Sequence, residues 1–160
     1  MTSDIIYDAD AARSVWQRVM GSAAKTAPET DEVSYFLRRE AELLALYRHA
    51  VKMCAGNTRA LFSKQAGMKA AACRSLAVHH CIKTGSTFDS ALAPPPVFSL
   101  SRALRTAYKS EEELSRQYMR SAMLQEDSAL AELYVNLSFQ SKKSAEAVMK
   151  TISSMLGETY

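Results

Sequence analysis

The sequence predicts an all-α protein: an antiparallel four-helix bundle of two helical hairpins joined by a long crossover, with a short N-terminal helix ahead of it. Three observations carry this. Only five Gly and four Pro interrupt 160 residues rich in Ala, Leu, Met, Lys, Glu and Arg, the side chains that lose least in a helix. Apolar residues recur at steps of three and four over long stretches, the period of one helical face. The second half of the chain also echoes the first, because Glu40 and Tyr47 on one apolar stripe answer to Glu111 and Tyr118 on another.

A chain of this length can bury a core without disulfides or structural metal, so one main domain is expected. The division reads as an N-terminal arm over 1–32, the bundle over 33–156 and a tail over 157–160. The arm carries Ala11, Val15, Trp16, Val19 and Met20 on one side of a short helix that Asp8 or Asp10 would cap. Gly21 through Glu32, with Pro28, is a polar connector.

The first long helix should run from Thr30–Glu32 to Cys54. Phe36, Glu40, Leu43, Tyr47, Ala50 and Cys54 share its buried face, while Glu42 points away. Gly56-Asn57-Thr58 reads as a stop followed by an N-cap, opening a second helix from Arg59 to Lys83. So short a loop makes the two helices antiparallel neighbours. The second helix buries Phe62, Ala66, Cys73 and Leu76 and ends at Thr84-Gly85.

Pro94-Pro95-Pro96 cannot continue a helix, and Ser86 to Phe98 is too long for a tight turn, so this segment is the crossover. A third helix starts near Ser99 with Leu100, Leu104, Ala107, Glu111, Leu114, Tyr118 and Ala122 on one face. Glu126-Asp127-Ser128 breaks it and caps a fourth, Ala129 to Leu156. Its seam is Leu130, Leu133, Leu137, Ser141, Ser144, Val148, Ile152 and Met155.

Several function classes drop out. The net charge of +3 comes with interleaved acids and no basic block, which argues against nucleic acid as a partner. No apolar run approaches the roughly 18 residues of a membrane span, and Met1-Thr2-Ser3-Asp4 lacks a basic leader, so a cytoplasmic protein is expected. Cys54, Cys73 and Cys81 form no Cys-x-x-Cys pair and read as reduced core thiols. His79, His80 and Cys81 are adjacent on a helix, about 100° apart around its axis, and cannot chelate one ion together. They read as late-helix residues facing the negative end of the dipole. The eight Met read as gap-filling core.

The Glu-x6-Tyr helices, the hairpin following each and the crossover resemble the ferritin-like superfamily, most closely its rubrerythrin-like branch, over roughly residues 33–156. The resemblance implies a carboxylate-rich di-iron site. Each half would supply a Glu from its first helix and a Glu-x-x-His pair from its second, projecting into the bundle. Glu40 and Glu111 match the first-helix carboxylates, and Tyr47 and Tyr118 the tyrosines that follow.

The other helices depart from the pattern. Lys69 and Ala72, or Met68 and Ala71 one residue earlier, stand where the second helix should carry its pair, and Ser141 and Ser144 stand in the fourth. Two of six expected ligands remain. The resemblance therefore implies a ferritin-like bundle that has lost its di-iron centre, carries no cofactor and acts in a structural or interaction role. Lys69 should substitute for metal by pairing with Glu40, Glu111 or both, with Tyr47, Tyr118, Ser141 and Ser144 donating hydrogen bonds. The alternatives are a di-metal oxidoreductase or iron-binding protein using Glu40 and Glu111 with non-standard ligands, and a small-molecule binder using the space beside Ala72, Ser141 and Ser144. A protein partner or a homodimer is compatible with any of these.

Overall fold

In the computed structural model, residues 31–89 and 99–157 are described. The chain separates into Met1–Asp31 and Glu32–Tyr160, and the second unit holds the helices that follow. The Trp16 arm, Pro94–Pro96 and the last three residues of the tail lie outside the described residues.

Four helices are present among the described residues, and no strand: α1 (Glu32–Met53), α2 (Gly56–Thr84), α3 (Leu100–Leu124) and α4 (Ser128–Met155). Helix α1 packs on α2 and α3, and α4 packs on α2 and α3, leaving α1–α4 and α2–α3 as diagonals. Side-chain contacts fix the directions. Tyr47 meets Phe62 while Ser34 meets His80, so α1 and α2 are antiparallel. Tyr118 meets Tyr134 while Ser115 meets Ser138, which makes α3 and α4 antiparallel. The pairs Tyr47–Glu111 and Tyr118–Glu40 do the same for α1 and α3, and Lys69–Ser141 with Gln65–Ser144 for α2 and α4. It follows that α2 and α3 run the same way.

The boundaries have local causes. Gly85 adopts φ 70° and its N–H donates to Cys81 O at 2.8 Å, the left-handed stop expected after Thr84. Ser99 caps α3 by accepting from Arg102 N, and Asp127 caps α4 by accepting from Ala129 N and Leu130 N. The start of α2 differs from the expected Thr58 cap. The helix begins at Gly56, and Ala55 occupies the N-cap position without a side-chain hydrogen bond. Gly56 itself sits at φ 59°, a conformation that lets the chain turn early and that other residues adopt only with strain.

The core runs along the bundle axis. At one level Phe36 stacks on Tyr118 at 4.2 Å and meets Tyr134 edge-on at 5.0 Å. At another, Tyr47 lies 5.8 Å from Phe62. Between these aromatic layers the helices carry polar residues. Two sequence expectations fail in part here. Cys81 is exposed and is no core residue, whereas Cys54 and Cys73 are half-buried and pack against the edge of the core. Met123, Met149 and Met155 are exposed, because they fall off the buried stripe or near helix ends.

The seams shift by one position in places. On α4, Tyr134 and Ser153 are buried, Leu133 and Ile152 are half-buried, and Met155 is exposed. On α2 the buried face is Phe62, Gln65, Lys69, Ala72, Leu76 and His80, and the expected Ala66 and Cys73 flank it. A face with so many polar residues has little apolar contrast, and a search for apolar spacing alone misplaces it.

Candidate functional site

The site is built from the repeat. On α1, Glu40 and Tyr47 lie two turns apart on one buried face, and on α3 Glu111 and Tyr118 do the same. All four are fully buried. Because α1 and α3 are antiparallel, each carboxylate meets the other helix's tyrosine. Tyr47 donates to Glu111 Oε1 and Tyr118 donates to Glu40 Oε1, both at 2.8 Å. The repeat thus closes on itself as a crossed pair.

Helix α2 inserts Lys69 between the two carboxylates. Its Nζ lies 2.8 Å from Glu111 Oε2 and 3.1 Å from Glu40 Oε2, and donates to Ser141 Oγ on α4 at 3.3 Å. Lys69 was expected to pair with Glu40, Glu111 or both, and the geometry shows both. The two contacts differ slightly in length and alignment, with the shorter, better-aligned one going to Glu111, and both carboxylates hold the ammonium by charge and hydrogen bonding.

The electrostatics follow from burial and proximity. Burial works against the Lys69 ammonium, but Glu40 and Glu111 outweigh it and raise its pKa. Burial raises the pKa of Glu111 as well; Lys69 pulls it down and Glu40 pushes it back up. Tyr47 and Tyr118 are raised far above the ordinary phenol by burial and by the carboxylates they donate to. Both phenols therefore stay protonated donors. Cys73 borders the cluster, and burial followed by the charge of Glu40 pushes its thiol up to about 11.

Two residues behave differently from expectation. Ser144 donates not to a carboxylate but to Gln65 Oε1, at 2.6 Å. A serine hydroxyl reaches only its immediate neighbour, and Gln65 is the α2 residue at that level, one turn from Lys69. Gln65 was not anticipated; its signal was the three-and-four spacing Phe62–Gln65–Lys69–Ala72, visible once polar residues are admitted to a seam. His80 is buried and approaches Ser34 Oγ through Nδ1 at 3.0 Å, with Phe88 edge-on at 5.7 Å. It packs between helix ends instead of simply facing the dipole.

These residues do not fit a di-metal centre. Two hard cations need several anionic oxygens and terminal imidazoles. The cluster offers two carboxylates, and an ammonium without a lone pair occupies the point on which both converge. Ala72 carries no donor atom, Ser141 and Ser144 are neutral hydroxyls already engaged, and both phenols are held protonated. Among the described residues no group of three His, Cys, Asp or Glu is gathered to hold a metal ion.

No family model matches the chain, and no curated protein or solved structure matches it.

Proposed function

We propose that the chain is a ferritin-like bundle of the rubrerythrin-like type in which the Lys69 ammonium takes the place of the metal ions, and that it serves a structural or interaction role in the cytoplasm. One observation carries the reading. Lys69 Nζ sits between Glu40 and Glu111, the two positions that match the resemblance's first-helix ligands. A cation between two buried carboxylates offsets the repulsion that would otherwise drive them to take up protons.

The helix directions support the ferritin-like connectivity. Because α2 and α3 run the same way, the link from Gly85 to Ser99 joins opposite ends of the bundle. Helix α3, of 25 residues, spans about 37 Å, and the link can reach about 46 Å when extended. An interaction role is supported by large apolar side chains left in solvent, among them Ile82, Met123, Leu124 and Leu156, each at least 70% exposed. No helix among the described residues is long and apolar enough to cross a membrane.

The test is metal analysis of untagged protein, followed by ferrous iron and oxygen with absorbance monitored for iron–oxo bands. The expected result is no stoichiometric metal and no new band. One or more tightly held metal ions per chain, lost on Glu40→Ala, would instead establish the oxidoreductase or iron-binding alternative.

A further inference from the structure

The polar bridges Lys69–Ser141 and Gln65–Ser144 set the spacing of α2 and α4, the least intimately packed neighbours in the bundle. Beside them α2 presents only short side chains, Ala71, Ala72 and Ser75, and α4 cannot fill the space they leave. The result is a groove of about 400 Å³ on the α2–α4 face. That volume falls in the range of small-ligand sites, roughly 300–1,000 Å³.

The chemistry of the walls is specific. Asn136, Gln140 and Lys143 follow one another at i, i+4 and i+7 on α4 and line the groove together. Their side-chain polar groups, and the Ser75 hydroxyl opposite, make no hydrogen bond or ion pair with any other described residue. Lys143 is the charged group in the lining, which contains no acid. Phe139 stands at the edge with 57% of its surface exposed, an aromatic face that stacks on no other ring among the described residues.

We propose that this groove binds a planar aromatic carboxylate of one or two rings. The flat ring lies over Ala71 and Ala72, where only short side chains leave room for it, and packs against Phe139. Its carboxylate pairs with the Lys143 ammonium and accepts from the Asn136 and Gln140 amides. Ala72 and Leu137, both almost fully buried, form the inner wall between the groove and the core, so the bound acid does not compete with Glu40 or Glu111 for Lys69. The site stands whether or not the central cluster ever held metal.

The experiment is an amide NMR titration of the full chain with 1-naphthoate, using 1-naphthylmethylammonium as the cationic control. Saturable shifts confined to residues 71–75 and 136–143, with a dissociation constant below millimolar, are expected, and the cation should leave these amides unmoved. Lys143→Gln should weaken binding about five-fold, the scale of one partly exposed charge contact. Ala71→Leu, at an exposed position that leaves the core intact, should fill the groove and abolish binding. Absence of saturable shifts in the wild type, shifts mapping to another face, equal response to the cation, or insensitivity to both substitutions would each overturn the assignment.

Discussion

Helices α1 and α3 are near-copies at the centre of the bundle, whereas α2 and α4 have diverged there. The first pair supplies Glu40 with Tyr47 and Glu111 with Tyr118, cross-bonded at equal distances. The second pair supplies Lys69 and Gln65 from one helix and Ser141 and Ser144 from the other. The difference teaches how charge is settled in a symmetric core. Two equivalent carboxylates cannot both be neutralised by symmetric side chains without adding two cations. A single lysine from one side bridges both and offsets one of the two negative charges, the tyrosine hydroxyls donate to the remaining oxygens, and the facing helix contributes small hydroxyls that leave the lysine room.

The sharpest way to break this comparison is to remove the lysine. Lys69→Met leaves two buried carboxylates without a counter-ion and should destabilise the protein by about 3–5 kcal/mol in urea unfolding at pH 7. The gap should narrow as the pH falls toward 5, because the uncompensated carboxylates then take up protons. On the alkaline side the sign follows from the raised Lys69 pKa. The folded state holds that proton more tightly, so its contribution is intact below 10.5 and is lost as the pH rises through the higher folded value. Wild type should therefore lose stability above pH 10.5 more steeply than Lys69→Met. Identical alkaline slopes would show that Lys69 is not held as an ammonium.

The crossed tyrosines test the other half of the comparison. Tyr47→Phe and Tyr118→Phe each remove a donor to a buried carboxylate and should cost about 1.5–3 kcal/mol. Their near-equality is the prediction. The Lys69 contact to Glu40 is the longer of the two, so a clearly larger loss for Tyr118→Phe would mean that the α1 carboxylate depends on its tyrosine more than the α3 carboxylate does.

The smallest effect lies at the hairpin starts. Asp127 caps α4 through two backbone N–H groups, but Ala55 occupies the equivalent place ahead of α2 with suitably extended backbone and no acceptor. Ala55→Asp should raise thermal stability by about 0.5–1 kcal/mol. No gain would indicate that Gly56, at positive φ, holds the first turn out of reach of a capping side chain.

Much of this was legible beforehand, and the misses share a cause. The four helices, the Asp127 cap and the Gly85 stop follow from local rules, which need only neighbouring residues. Glu40 and Glu111 were visible because a charge within an apolar stripe is conspicuous. Lys69 was visible only through its place in the repeat. Gln65 and His80 were passed over or misread because polar residues on a weakly apolar helix carry no contrast of their own. Met123, Met149 and Met155 were misplaced because residue type is a poor guide to burial, while Met53 does pack against the core.

The sequence by itself determined which residues form helices and, for α1 and α3, which face turns inward, since both depend on spacing along one chain. Only the tertiary structure decided the axial register between helices. That register sends Tyr47 to Glu111 rather than to Glu40, puts Ser144 opposite Gln65 and brings the Lys69 ammonium between two carboxylates 42 residues and 29 residues away in the chain. Periodicity fixes an angle around a helix axis. Height along a neighbour is set by the packing of aromatic layers that are distant in sequence, and no local pattern encodes it.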